Sequence, residues 1–295
     1  MAALFIFTQI LQYIFTGLTI GSIFAMVGLG FNIIYNATDI INFAQGEFVM
    51  IGGLVMVSLT KGLSIPMIPA FVLTVVIVGI VGILFERLAI NPLTNPSIIT
   101  LIIITIAASI VFKGLAMLIW GKDTFIIPAF SGETPIIVGG AVIIPQSLWV
   151  LGITLFVVIG LAVFFEKTLL GKAMRACATN RKAASLMGIN VKHMVMFSFA
   201  LSAGIGAVAG VIITPISLMD YQRGTMLAIK GFAAAILGGL GSGTGAVIAG
   251  FIIGVMESMG AGFISSGYKD AIALIVLLLV LFFKPTGLMG RSELR

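Results

Sequence analysis

The chain has 295 residues, of which 60% are hydrophobic and 9% charged, with a mean hydropathy of +1.25 and a formal net charge of +6. A soluble domain carries about 25% charged residues, so this composition has too little polar surface to cover a globular fold. It describes an all-α, polytopic integral membrane protein. At ~20–25 residues per crossing, about eight transmembrane helices fit and no separate soluble domain finds room.

Apolar segments are expected at about 9–35, 42–60, 66–90, 98–120, 147–166, 194–214, 226–262 and 268–283. Met1 to Thr8 carry no Lys or Arg, so the first of these reads as a span and not as a signal peptide. Pro66, Pro92, Pro96, Pro128, Pro135, Pro145 and Pro285 fall at or between segment ends, where proline interrupts helices. Trp120 and Trp149 bracket a polar loop (Lys122, Asp123, Glu133) that has room for a small hairpin outside lipid. The seventh segment is too long for one span and is broken at Gly241-Ser242-Gly243-Thr244-Gly245. It reads either as a half-helix plus a full helix or as two short spans. Glycines spaced four apart (Gly17 and Gly21, Gly206 and Gly210, Gly250 and Gly254) suit close helix approach in lipid.

Charge then sets orientation. Between Lys167 and Lys192 lie six cations, Lys167, Lys172, Arg175, Arg181, Lys182 and Lys192, with no acid among them. Placing 167–193 in the cytoplasm puts five spans before it and the N-terminus outside, as the positive-inside rule expects. Lys284, Arg291 and Arg295 argue for a cytoplasmic C-terminus. The parity of the Gly-broken segment leaves that side open. Because the surplus charge lies in loops, nucleic acid is not expected as a partner. One cysteine, Cys177, excludes an internal disulfide framework. One histidine, His193, beside it makes no usual structural zinc site. No cofactor is expected.

Chemistry is mostly absent. The chain has no G-x-x-x-x-G-K-[ST], H-E-x-x-H, C-x-x-C or G-x-S-x-G, so it is not expected to be an enzyme or to hydrolyse nucleotides itself. Polar residues inside apolar segments stand out instead: Asn42, Gln45, Glu47, Lys113, Lys230 and Glu257. Ionised groups there cost ~2.5–3.5 kcal/mol on insertion scales and face cavities or partners. Asn42 and Gln45, three apart, are expected on one helix face with Glu47 close by, lining a pathway or gate; the alternatives are a buried network tying helices together, or a span that starts later than residue 42. Lys113 is expected to snorkel toward the Trp120 end. Lys230 and Glu257 are candidates to pair across the glycine break. The break, including Gly239 and Gly241, lies either on a translocation route or in a tight helix crossing.

In the basic segment, Thr179 or Asn180 can cap a short helix that runs to about Met187 and ends at Gly188. Ala183, Leu186 and Met187 then form an apolar knob on a basic stub, with Arg181 and Lys182 pointing elsewhere. The alternative is a plain basic loop.

Lys182-Ala-Ala-Ser-Leu-Met-Gly188 resembles the E-A-A-x-x-x-G loop of ABC-importer permeases, with Lys182 in place of the acid. Gly171 to Asn190 more closely resembles the branched-chain amino acid permeases of LivH/LivM type. Asn42-Phe-Ala-Gln-Gly-Glu47 is similar to that subgroup's I-N-F-A-H-G-E, with Gln45 where His is common. Lys230 to Ser242 is similar to its glycine-rich signature, and Lys284 to Arg291 fits its tail. The resemblance implies a single permease domain over 1–295 in the bacterial inner membrane, with a cytoplasmic coupling loop at 167–193. In that loop Arg175, Arg181, Lys182, Ala183, Ala184, Leu186, Met187 and Gly188 would engage the ATPase. It further implies ATP-binding subunits, a second homologous permease and an extracytoplasmic solute-binding protein as partners. The implied cargo is a branched-chain amino acid or a small polar solute such as urea or an amide. Lys182 leaves no loop carboxylate to pair with the ATPase, and Gln45 leaves no titratable group at its position. Rival readings are an ion-coupled secondary transporter using Glu47 or Glu257, and a structural scaffold.

Overall fold

The computed structural model describes residues 2–93, 96–132, 134–284 and 286–290. Glu133, Pro285, Arg291 and Arg295, on which the sequence reading drew, lie outside the described residues. The helices in chain order are α1 (Ala2–Thr38), α2 (Gln45–Val57), α3 (Met67–Phe85), α4 (Ile98–Trp120), α5 (Pro145–Lys167), α6 (Leu169–Thr179), α7 (Arg181–Leu186), α8 (Val191–Ile213), α9 (Arg223–Gly238), α10 (Gly243–Phe263) and α11 (Lys269–Phe283). Single π-helical turns extend α2 (Ser58–Gly62) and α3 (Glu86–Ile90). Between α4 and α5, strands β1 (Ile136–Val138) and β2 (Ala141–Ile143) pair antiparallel, which is the small hairpin the polar loop had room for.

Local signals explain the boundaries. Ser97, Thr168, Asn180, Asn190 and Ser242 each accept a backbone N–H three residues on, which caps α4, α6, α7, α8 and α10 in turn. Pro145 opens α5, where its missing N–H costs nothing. Six helices among the described residues are long and apolar enough to cross a membrane: α1, α3, α4, α5, α8 and α10. The apolar α2, α9 and α11, with 13, 16 and 15 residues, are shorter. Among the described residues the eight expected spans thus correspond to nine apolar helices of unequal length, because the glycine-broken segment divides into α9 and α10.

With 37 residues, α1 is about 55 Å long and orders the rest. Near its start the Gln12 side chain exchanges two hydrogen bonds with Val142 of β2 (3.0 and 2.7 Å). Midway, a Cβ at Gly21 would lie 2.8 Å from Gly250 O, and one at Gly17 would lie 2.5 Å from Val255 Cα. Only glycine permits this crossing of α1 and α10. Toward its end Asn32 and Asn36 hold Gly241 and Ser242, and Asp39, just beyond it, pairs with Arg181 of α7. Hence α10 runs antiparallel to α1 and starts at the α7 end of the molecule. Leu288 N and Met289 N donate to Leu237 O and Gly238 O at the close of α9 (2.8 and 3.0 Å). Residues 286–290 therefore lie at the α7 end.

Around α1 and α10 pack α2, α8 and α9. Gly206 and Gly210 of α8 press on Phe48 and Val49 of α2, and Gly52 of α2 presses on Ala207. Phe48, Phe85, Phe112 and Phe199 join α2, α3, α4 and α8 through ring contacts 5.5–6.4 Å apart. Outer faces of α3, α4 and α5 carry exposed Ile, Leu, Val and Phe such as Ile99, Ile103, Leu118, Phe156 and Ile159, as lipid-facing helices do.

Candidate functional site

Two places combine chemistry with position. One is the basic hairpin α6–α7. Its first helix is amphipathic: Gly171, Met174 and Cys177 are buried against the bundle, and Lys172 and Arg175 face out. Burial pushes the Cys177 thiol above its ordinary range, against the pull of nearby Arg181. Of the two expected caps the structure uses Asn180, whose Oδ1 accepts Ala183 N at 2.9 Å. Gly188 turns the chain at φ +84, a conformation that glycine adopts without strain. Ala184 is buried and seats the helix. Ala183 and Lys182 are exposed, and Leu186 and Met187 project with 88% and 83% of their surface free. Arg181 instead turns inward, with Nη2 2.8 Å from Asp39 Oδ2.

The other place is the start of α2. The helix begins at Gln45, not before Asn42, so Asn42 and Gln45 do not share a helix face and the later start holds. Asn42 sits in the irregular stretch ahead of the helix, where its Oδ1 accepts Ala44 N at 3.1 Å; its Nδ2 is buried without a partner. Gln45 is tied to α8: Nε2 donates to Ser202 O (3.2 Å), and Ser202 Oγ lies 2.6 Å from Gln45 Oε1 and 2.8 Å from Gly30 O. Glu47, in the first turn of α2, is fully buried. The partial positive charge of a helix start favours a carboxylate there. Its Oε1 accepts Ser109 Oγ (2.9 Å) and Thr225 Oγ1 (3.5 Å), and its Oε2 has no partner. Thr225 belongs to the first turn of α9, and a Cβ at Gly224 would collide with Glu47 Oε2. The starts of two short helices therefore meet at one carboxylate. Lys113 does not snorkel toward Trp120; its Nζ donates to Thr225 Oγ1 at 3.2 Å. A hydroxyl beside a buried carboxylate offers the ammonium more than a distant interface does. Trp120 Nε1 bonds Ser58 Oγ instead (2.6 Å).

The glycine break is packed against α1. Asn32 Oδ1 accepts Gly241 N (3.1 Å), Asn32 Nδ2 donates to Ser242 O (2.8 Å), and Asn36 Nδ2 donates to Gly241 O (3.1 Å). Gly239 and Gly241 carry φ of +99 and +87, which this tight turn requires. Lys230 meets Glu257 as expected (2.7 Å), and Asp270 also joins it (2.6 Å), with the Phe24 ring centroid 5.3 Å from Nζ. Glu257 Oε2 is buried without a partner.

Sequence reasoning passed over Asn32, Asn36, Asp39, Ser109, Ser202, Thr225 and Asp270. Two amides four residues apart within an apolar run, Asn32 and Asn36, were a readable sign of a polar partner. Ser and Thr satisfy their own helix carbonyls so often that Ser109 and Ser202 carried no such sign.

Residues 13–281 match the family model described as the permease component of the branched-chain amino acid transport system. The chain is 35% identical, over 96% of each chain, to the high-affinity branched-chain amino acid transport system permease protein BraD of Pseudomonas aeruginosa. To the LivH permease protein of the corresponding Salmonella typhimurium system it is 33% identical over 97% of each chain. To the probable branched-chain amino acid transport permease protein LivH of Methanocaldococcus jannaschii it is 31% identical, over 91% of this chain and 89% of that one. Those alignments run through both the α6–α7 hairpin and the start of α2, and this membrane-spanning chain belongs to the branched-chain amino acid transport permease family.

Proposed function

We propose that the chain is a permease subunit of an ATP-driven importer of the cytoplasmic (inner) membrane, moving branched-chain amino acids or a related small polar solute such as urea or an amide. ATP-binding subunits dock on the α6–α7 hairpin from the cytoplasm. A second homologous permease completes the membrane part, and an extracytoplasmic solute-binding protein delivers the solute at the β-hairpin end.

The observation that carries this reading is the pair Leu186 and Met187. Both are nearly fully exposed on a basic helix held at one end by Asn180 and at the other by Gly188. Two neighbouring apolar side chains projecting from a helix with exposed Lys182 suit a groove on a partner protein, the arrangement that anchors of protein interfaces take. The chain has no nucleotide-binding motif of its own, so the energy source lies in the partner.

ATP binding, in this account, draws the hairpins of two permeases together and rocks the helices between inward- and outward-open states. Such coupling needs the ATPase to bind the two states unequally. Asn42, Gln45 and Glu47 at the start of α2, with Lys230 and Glu257 on α9 and α10, line or gate the route, and the Gly239–Gly241 turn lets α9 move against α10. Support comes from the polar groups gathered there within an apolar bundle and from the two short helices whose starts face one carboxylate.

Reconstitution tests this. Proteoliposomes holding the chain with its partner permease, ATP-binding subunits and binding protein should take up labelled leucine only with internal ATP. A second reading has one specific observation behind it: Glu47 and Glu257 each keep a buried carboxylate oxygen without a partner, as an ion-coupled carrier would. Uptake by this chain alone, driven by a proton or sodium gradient, would establish that reading and remove the first.

A further inference from the structure

Arg181 behaves unlike the other cations of the hairpin. Lys182, Lys172 and Arg175 face solvent, but Arg181 reaches 142 positions back along the chain to Asp39. Asp39 is no ordinary surface acid. It ends α1, with its N–H on Tyr35 O at 2.7 Å and φ at +54, in the left-handed region that Asp and Asn tolerate better than other non-glycine residues. It therefore marks the point where the chain leaves α1 and turns toward α2.

The stretch beyond Asp39 is anchored in the core. Ile40, Asn42 and Ala44 are buried, Phe43 N donates to Thr105 Oγ1 of α4 (3.2 Å), and Ala44 N donates to the Asn42 side chain. Six residues after Asp39 stands Gln45, bound to α8, and two further on is Glu47. Three residues before Asp39, Asn36 holds Gly241 in the turn between α9 and α10. One ion pair thus connects the hairpin to both polar features of the bundle: the start of α2 and the glycine turn.

We infer that the Arg181–Asp39 pair is the strut through which displacement of the α6–α7 hairpin moves the end of α1, and with it the α2 start and the α9–α10 turn. This rests on the reading that the hairpin docks on an ATP-hydrolysing partner. Its side chains are 37% and 70% exposed, so the pair adds little to stability, and its worth lies in transmission. Asp39 is a positioning residue: it touches no solute, and its effect passes through α1.

The test compares the assembled importer in proteoliposomes with wild-type chain, Asp39→Asn, Arg181→Gln and the double variant. Asn keeps the left-handed backbone at 39 and removes only the charge. Read-outs are the ATP-binding subunit retained on purification, the thermal midpoint, and solute taken up per ATP hydrolysed. Asp39→Asn is expected to keep its ATP-binding subunit and its midpoint while uptake per ATP falls about tenfold. The double variant is expected to be no worse than either single one, since all three lose the same contact. Unchanged uptake per ATP in Asp39→Asn overturns the strut, as do losses that add in the double variant. If wild-type chain brings down no ATP-binding subunit, the docking reading itself fails and the strut with it, a result distinct from a failure at Asp39 alone.

Discussion

Helices α4 and α8 have 23 residues each and nearly equal hydropathy, yet α4 is mostly exposed and α8 mostly buried. In water such similarity would send both to the core. In lipid the apolar surface gains nothing by leaving the tails, so small residues and polar partners decide which helix goes inside. Along α8, Gly206 and Gly210 meet the backbone of α2, and Ser202 bonds Gln45. On α4, Gly114 faces open space; apart from the Phe112 ring and buried Ala116, its inward contacts come from polar residues: Ser109 to Glu47, Lys113 to Thr225 and Thr105 to Phe43 N. Packing of backbone on backbone centres the bundle, and a few hydrogen bonds fasten its outer helices.

Changes that attack the two kinds of contact should separate sharply. The largest effect is expected from Gly254→Leu, because a side chain there collides with the backbone of Gly17 and Gly21. A loss above about 3 kcal/mol, seen as failure to recover folded protein in mild detergent, is expected. Gly114→Leu, the same change on α4, should stay within about 0.5 kcal/mol of wild type. Equal damage from both would dissolve the contrast between the helices.

Next comes Lys230→Met. It strands Glu257 in the bundle with one carboxylate oxygen already unpartnered, and should cost about 3 kcal/mol in a denaturant titration. Lys230→Met with Glu257→Leu should recover most of that loss. A double variant as unstable as the single one would show that the loss comes from Asp270, the other acid on Lys230, and not from stranded Glu257.

Asn32→Ala removes two hydrogen bonds from the glycine turn, with a cost of about 1–2 kcal/mol and faster amide exchange centred on Gly241, whose N–H loses its acceptor. Exchange that rises across α10 as a whole would mean the turn is not locally held.

Much of this was legible in the sequence, and for reasons particular residues make plain. The α7 cap and stop could be read because Asn180 and Gly188 act locally, within three residues of what they terminate. Lys230 and Glu257 could be paired because opposite charges inside an apolar run have few other options. Legibility ended where position depends on depth. At Asn42 the sequence leaves open whether the helix has begun, since nothing local marks where an apolar stretch stops being extended and begins to coil; α2 starts three residues later. Lys113 was sent to the wrong partner because its true neighbours, Thr225 and Glu47, lie 112 and 66 residues away in sequence. Asp39 looked like an ordinary loop acid until α7 was folded against it.

The smallest expected effect on stability belongs to the exposed knob. Leu186→Asp should leave the thermal midpoint of the isolated chain within about 1 °C, since that side chain touches little of its own protein. Its consequence should appear only in partner binding, as loss of the ATP-binding subunit on purification. A folded chain that keeps this partner with Asp at 186 would move the docking surface elsewhere.

The placement of that knob is open to direct measurement. With Cys177→Ser removing the chain's one thiol and Leu186→Cys installing another, a membrane-impermeant maleimide reports which side the hairpin faces. Labelling in inverted vesicles, blocked when the ATP-binding subunit is present, is the result this account predicts. Labelling in right-side-out cells, or no reaction from either side, would contradict it.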